Sequence, residues 1–82
     1  MTNTVDEAIK TLDATTVAVG QVYQHFKTRR MYTIVDLGIN TETLVPTVGY
    51  RVSGEDSYTW YRPLEMFLST VDGVPRFTRL GD

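Results

Sequence analysis

Met31-Tyr32-Thr33-Ile34-Val35-Asp36-Leu37 is rich in β-branched and aromatic side chains, which fit a pleated, half-buried surface better than a helix. Gly38-Ile39-Asn40-Thr41 breaks it. Upstream, Val22, Tyr23 and Phe26 mark a shorter strand entered from Gly20 and separated from the first by a polar turn, Thr28 to Arg30. Downstream, residues 44–52 form a third strand, in which Pro46 implies an edge or a strand start because proline cannot donate to a ladder. Ser53-Gly54-Glu55-Asp56 is a turn, Tyr58-Thr59-Trp60-Tyr61 a fourth strand, and Pro63 opens a helical turn over 64–68. Val71-Asp72-Gly73 turns the chain into a last strand over 74–80. Short strands joined by tight turns predict an antiparallel meander that closes or curls to hide its edges. No gap supplies the crossover helix that a parallel sheet requires.

The N-terminal segment reads differently. Val5, Ile9 and Leu12 recur at helical spacing, and Thr4 with Glu7 makes a capping-box pattern, so an amphipathic helix is expected that frays by residue 15, where Thr15-Thr16-Val17 begins. Three apolar residues on about three turns cannot stabilise a free helix, so this one docks on the domain, docks on a second copy, or is partly disordered. Residues 1–19 thus form a helical arm and 20–82 the β domain. The arm carries Asp6, Glu7 and Asp13 against Lys10, which accounts for the whole formal charge of −2. The β domain is neutral, without the broad basic excess that nucleic-acid or anionic-membrane binding needs. With 82 residues and no cysteine, the chain has one small core and no disulfide to support it. No apolar run approaches the roughly 20 residues that cross a bilayer, and a soluble, cytoplasmic protein is expected.

Gly20-Gln-Val-Tyr23-Gln-His25-Phe26-Lys27, Glu42-Thr43, Val48-Gly49-Tyr50, residues 60–67 (Trp-Tyr-Arg-Pro-Leu-Glu-Met-Phe) and Val74-Pro75-Arg76-Phe77 together resemble the bacterial and phage family catalogued as domain of unknown function 1653. The resemblance spans residues 20–80 in the family's motif order. It departs at Thr28, where the family usually has glycine, and in a turn about one residue longer. It implies a mainly β fold, a small SH3-like antiparallel β-barrel or roll of about five strands beside the N-terminal helix. No activity, catalytic residue or cofactor comes with it.

His25 is the lone histidine and the side chain whose charge changes nearest neutrality. If it shares a strand face with Tyr23 and Lys27, it is a candidate general base. The plainer expectation is a half-buried histidine at a strand edge, bonded to backbone. No nucleophile motif, zinc spacing or calcium loop accompanies it, so neither an enzyme nor a metal site is expected. Trp60, Phe67 and Phe77 are expected in the core. Arg62 either bridges a carboxylate such as Glu65 or faces a groove. Lys27, Arg29 and Arg30 on one turn, and Glu55 and Asp56 on another, read as solvated charge.

Aromatic faces interleaved with cations suit flat anionic ligands. The expected function is therefore a non-enzymatic binding module for a nucleotide-like ligand or a nucleic-acid segment, using Tyr23, His25, Lys27, Trp60 and Arg62; in a phage this would mean sequestering a host signalling nucleotide. The alternatives are a protein-interaction module working through a strand edge or the arm, with a homodimer formed by exchange of the helix, and a small hydrolase using His25.

Overall fold

A computed structural model describes residues 3–55 and 58–81; Asp56, one of the two acids of the expected turn, lies outside them. Helix α1 (Val5–Ala14) is followed by strands β1 (Val22–His25), β2 (Met31–Ile39), β3 (Pro46–Val52) and β4 (Trp60–Pro63), the short helix α2 (Leu64–Phe67), and strands β5 (Thr70–Val71), β6 (Val74–Pro75) and β7 (Phe77–Leu80). β1 to β4 form the meander, and β7 returns beside β1 to give the antiparallel order β4-β3-β2-β1-β7. The result is mainly β, a five-stranded half-barrel with a short N-terminal helix.

Several boundaries differ from the sequence reading: β2 runs on through Gly38-Ile39, expected as part of the break, and β3 starts at Pro46 rather than at residue 44. The fourth strand starts at Trp60 rather than Tyr58 and runs through Pro63, which then sits at the N-cap of α2. Pro46 takes the second of its two expected places, the start of a strand, and that strand is central rather than an edge. The expected strand over 74–80 is broken at Arg76. Pro75 lacks an N–H, the Arg76 N–H donates to the Ser69 carbonyl, and the Arg76 carbonyl accepts from Phe26 N–H. Val74–Pro75 accordingly pairs with Thr70–Val71 across Asp72-Gly73, both at positive φ as a two-residue hairpin turn demands, while β7 is freed to pair with β1.

Antiparallel register decides which side chains share a face, since directly opposed residues point the same way. The pairs Tyr23↔Tyr32, Ile34↔Tyr50, Val48↔Arg62, Tyr50↔Trp60 and His25↔Phe77 put those residues on the concave side. A bulge at Val35 lets Leu37 rejoin this side opposite Val48, although it stands three residues after Ile34. Phe67 projects from α2 into this concavity, stacked on Phe77 at 4.3 Å and edge-on to Tyr23 at 5.0 Å. Tyr23, Ile34, Val48, Tyr50, Leu64, Phe67 and Phe77 are buried there. Trp60 is not. It lies 61% exposed on the edge strand, so the expectation of a core tryptophan is corrected: with no strand beyond β4, nothing covers its outer side among the described residues.

The α1 helix begins as its sequence indicates, with Thr4 Oγ1 accepting from Glu7 N–H at 3.1 Å. Its docked face is rotated from the expected stripe: Ala8 is buried and Leu12 packs on the core, while Val5 and Ile9 remain exposed. A helix lying this close to the β2–β3 loop, where Asn3 Nδ2 donates to the Thr43 carbonyl, admits a methyl more readily than a branched side chain. Val17, just past the helix, is buried in the same core as the strands.

Candidate functional site

The half-barrel is open between its two edge strands, and the opening forms a cavity of about 220 Å³ lined by His25, Thr28, Tyr32, Tyr50, Trp60, Arg62 and Phe77. Every strand of the five-stranded sheet contributes, because the lining residues come from the concave set; Thr28 is added from the β1–β2 turn. Of the five residues proposed from sequence, His25, Trp60 and Arg62 meet here. Tyr23 does share the His25 face, but that face is the core side. At 5% exposure, with its hydroxyl donating to Gln21 Oε1, it is a core residue and does not line the cavity. Lys27 lies beyond the end of β1, in the turn, and does not line the cavity; its N–H, not its ammonium, touches His25. Tyr32, Tyr50 and Phe77 were missed as site residues. Strand alternation could have placed them on the His25 face, but only with the register known.

The polar atoms around this cavity are committed in a consistent way. His25 Nδ1 accepts from the N–H groups of Lys27 (3.2 Å) and Thr28 (3.3 Å), so the neutral ring carries its proton on Nε2 and offers a donor. Tyr50 Oη accepts from Arg62 Nε at 3.2 Å, leaving its own hydrogen to give. Thr28 Oγ1 likewise accepts from Arg30 N–H at 3.3 Å and keeps a hydrogen. The Arg62 guanidinium also lies 5.9 Å from the Phe77 ring centre, and among the described residues no carboxylate, Glu65 included, is paired with it. Among the described residues the lining has no acid. Burial lowers the His25 pKa from its usual value, and the charges of Arg62, Arg76 and Lys27 lower it further. A protonated His25 would lose the Nδ1 acceptor that holds the turn.

A larger groove of about 390 Å³ runs between α1, the β2–β3 loop and α2. Its charged lining is Glu7 and Glu65 with no cation, so it disfavours an anion. Chemistry rather than size selects the concave cavity. Among the described residues no cluster of three His, Cys, Asp or Glu side chains could hold a metal ion, and no helix is long and apolar enough to cross a membrane.

Fold and cavity define a small mainly β half-barrel with an aromatic, cation-bordered opening. The model of the family described as protein of unknown function (DUF1653) matches residues 21–79, and the chain belongs to that family. The match takes in every strand except the last residue of β7 and leaves α1 outside. Neither a curated protein nor a solved structure matches the chain.

Proposed function

We propose that this protein is a non-enzymatic binding module whose concave cavity takes the flat ring of an anionic, nucleotide-like ligand. One observation carries the reading: the fixed polar groups of an aromatic cavity, His25 Nε2, Tyr50 Oη and Arg62, have hydrogens to give, and among the described residues no carboxylate lines it. Such a wall rewards acceptors and anions and penalises amines, whose hydrogens would meet hydrogens. The cavity is smaller than the roughly 300–1,000 Å³ of drug-sized sites, so one ring system enters and charged substituents remain at the rim. There Arg62 meets them directly, and Arg76 and Lys27, whose charges already act on His25, add attraction.

The same bonds argue against His25 as a catalytic base. Its Nδ1 lone pair is occupied by two backbone N–H groups and its Nε2 is protonated, so the resting ring has no lone pair free to take a proton.

Trp60, the one tryptophan, is a built-in reporter. Titration with AMP, adenosine and inorganic phosphate should quench its fluorescence in the order AMP, adenosine, phosphate, with AMP weakened by salt and by Arg62→Ala. Absence of quenching and of any thermal shift with AMP at millimolar concentration would refute the reading.

A further inference from the structure

The exposed aromatic residues Tyr58, Trp60 and Tyr61, at 89, 61 and 63% exposure, fall within four positions on or beside β4, an edge strand. Such a cluster on a sheet edge is the usual mark of a pairing surface, and natural edges are normally blunted by charge or covered. The register shows what this edge presents. Pro63 has no N–H, so its pairing with Thr47 is of the non-hydrogen-bonded kind. Alternation then makes Val48↔Arg62 and Tyr50↔Trp60 the hydrogen-bonded pairs and Gly49↔Tyr61 a non-bonded one. Trp60 and Arg62 therefore turn their main-chain groups toward β3, and Tyr61 turns its N–H and C=O away from the sheet, as Pro63, without an N–H, does its C=O alone. Among the described residues no strand lies there to receive them.

We infer that β4 pairs with β4 of a second copy of this chain, antiparallel about a two-fold axis at Tyr61. The segment is self-complementary in that register. Tyr61 exchanges both main-chain hydrogen bonds with its equivalent, and Trp60 stands directly opposite Arg62 of the second copy, on the concave face, twice by symmetry. A guanidinium over an indole is an attractive contact, stronger as it loses water. A register slipped by one residue loses this match and flips the side chains to the other face. The other edge, β7, has no comparable cluster of exposed aromatic residues. A chain of 82 residues also gains the most from added burial, because so small a domain buries a modest share of its surface alone. The two sheets become one, and Trp60 of each copy adds to the rim of the other's cavity. This pairing uses the edge, not the ligand: a monomer can still bind AMP, and a dimer can fail to.

The chain has no cysteine, so single-cysteine variants report the register directly. In the proposed pair the two residues at 61 have Cα atoms about 5.5 Å apart, inside the 4.4–6.8 Å that a disulfide spans. Tyr61→Cys should form an interchain disulfide under mild oxidation about tenfold faster than Met66→Cys, because pairing raises the local thiol concentration. Met66 has 49% exposure but lies on α2. Sedimentation of the unaltered chain should show a dimer, and Trp60→Lys, which sets ammonium against guanidinium on both sides, should return it to monomer with unchanged circular dichroism. A monomer at all concentrations up to the millimolar range overturns the inference. So does a dimer in which the two cysteine variants cross-link equally fast, which would place the contact on another face.

Discussion

Gly49→Ala adds one methyl group to the centre of the sheet, and its cost can be worked from the space available. Gly49 is buried on the convex side of β3, beneath the ring of Tyr61 from the neighbouring strand. A Cβ built there would lie 2.8 Å from Tyr61 Cε1 and 3.1 Å from both Asp36 Cβ and Thr59 Cγ2. Its φ is not in the left-handed region, so the cost is steric and not conformational. Tyr61 is exposed enough to swing outward, forfeiting its cover of Gly49 and its 3.5 Å contact with Asp36 Oδ2. Asp36 Cβ and Thr59 Cγ2 are tied closer to the backbone and must move by tenths of an ångström. Overpacking of this kind costs about 1–3 kcal/mol, and the reduced freedom of alanine in the unfolded chain returns about 0.4–1. A net loss of about 1–2 kcal/mol should lower Tm by about 4–16 °C in a domain of this size. Thermal and urea melts of Gly49→Ala, Tyr61→Ala and the double variant form a cycle. The double variant should recover the share owed to the ring and retain the share owed to Asp36 and Thr59. A Gly49→Ala protein as stable as the parent, or a cycle with no coupling, would refute the close approach.

Phe67→Ala removes a fully buried ring stacked on Phe77, at a cost of about 3–5 kcal/mol, and should leave little folded protein by urea melt or near-ultraviolet dichroism. The His25 pKa is lower folded than unfolded, so around and below its ordinary value of about 6.5 the unfolded chain takes up the proton more readily. Stability should therefore fall as the medium is acidified below that value; His25→Asn, whose Oδ1 can still accept from the turn, should show a shallower fall in melts compared at pH 5 and pH 7. Thr4→Ala removes the N-cap of α1 and should cost about 1 kcal/mol in the same melts, since an N–H at the first turn loses its acceptor.

The existence and type of the elements were legible because each has a local cause. The capping pair Thr4 and Glu7 marks where α1 starts, and Asp72-Gly73 supplies the positive-φ pair that its hairpin needs. The partition of the last strand was only half legible: Pro75 warns against one unbroken strand over 74–80, but the place of the break at Arg76 is set by its distant partners Ser69 and Phe26. The rotation of α1 followed the same logic. The sequence marks Val5 and Ile9 as its apolar face, whereas the room beside the β2–β3 loop selected Ala8.

For the cavity the division is sharper. Composition alone indicates that aromatic rings and cations share this small chain, and strand alternation alone puts His25 on the face of Tyr23. Whether a residue of that face lines the cavity or the core depends on depth along the half-barrel. Tyr23 lies under Phe67, while His25, one pleat further on, reaches the opening with Tyr32, Tyr50, Trp60, Arg62 and Phe77. Propensity and turn chemistry act between near neighbours and can be read in one dimension. Register, the Val35 bulge and the unpaired edge at β4 depend on contacts between residues far apart in the chain, and those are fixed only when the sheet assembles.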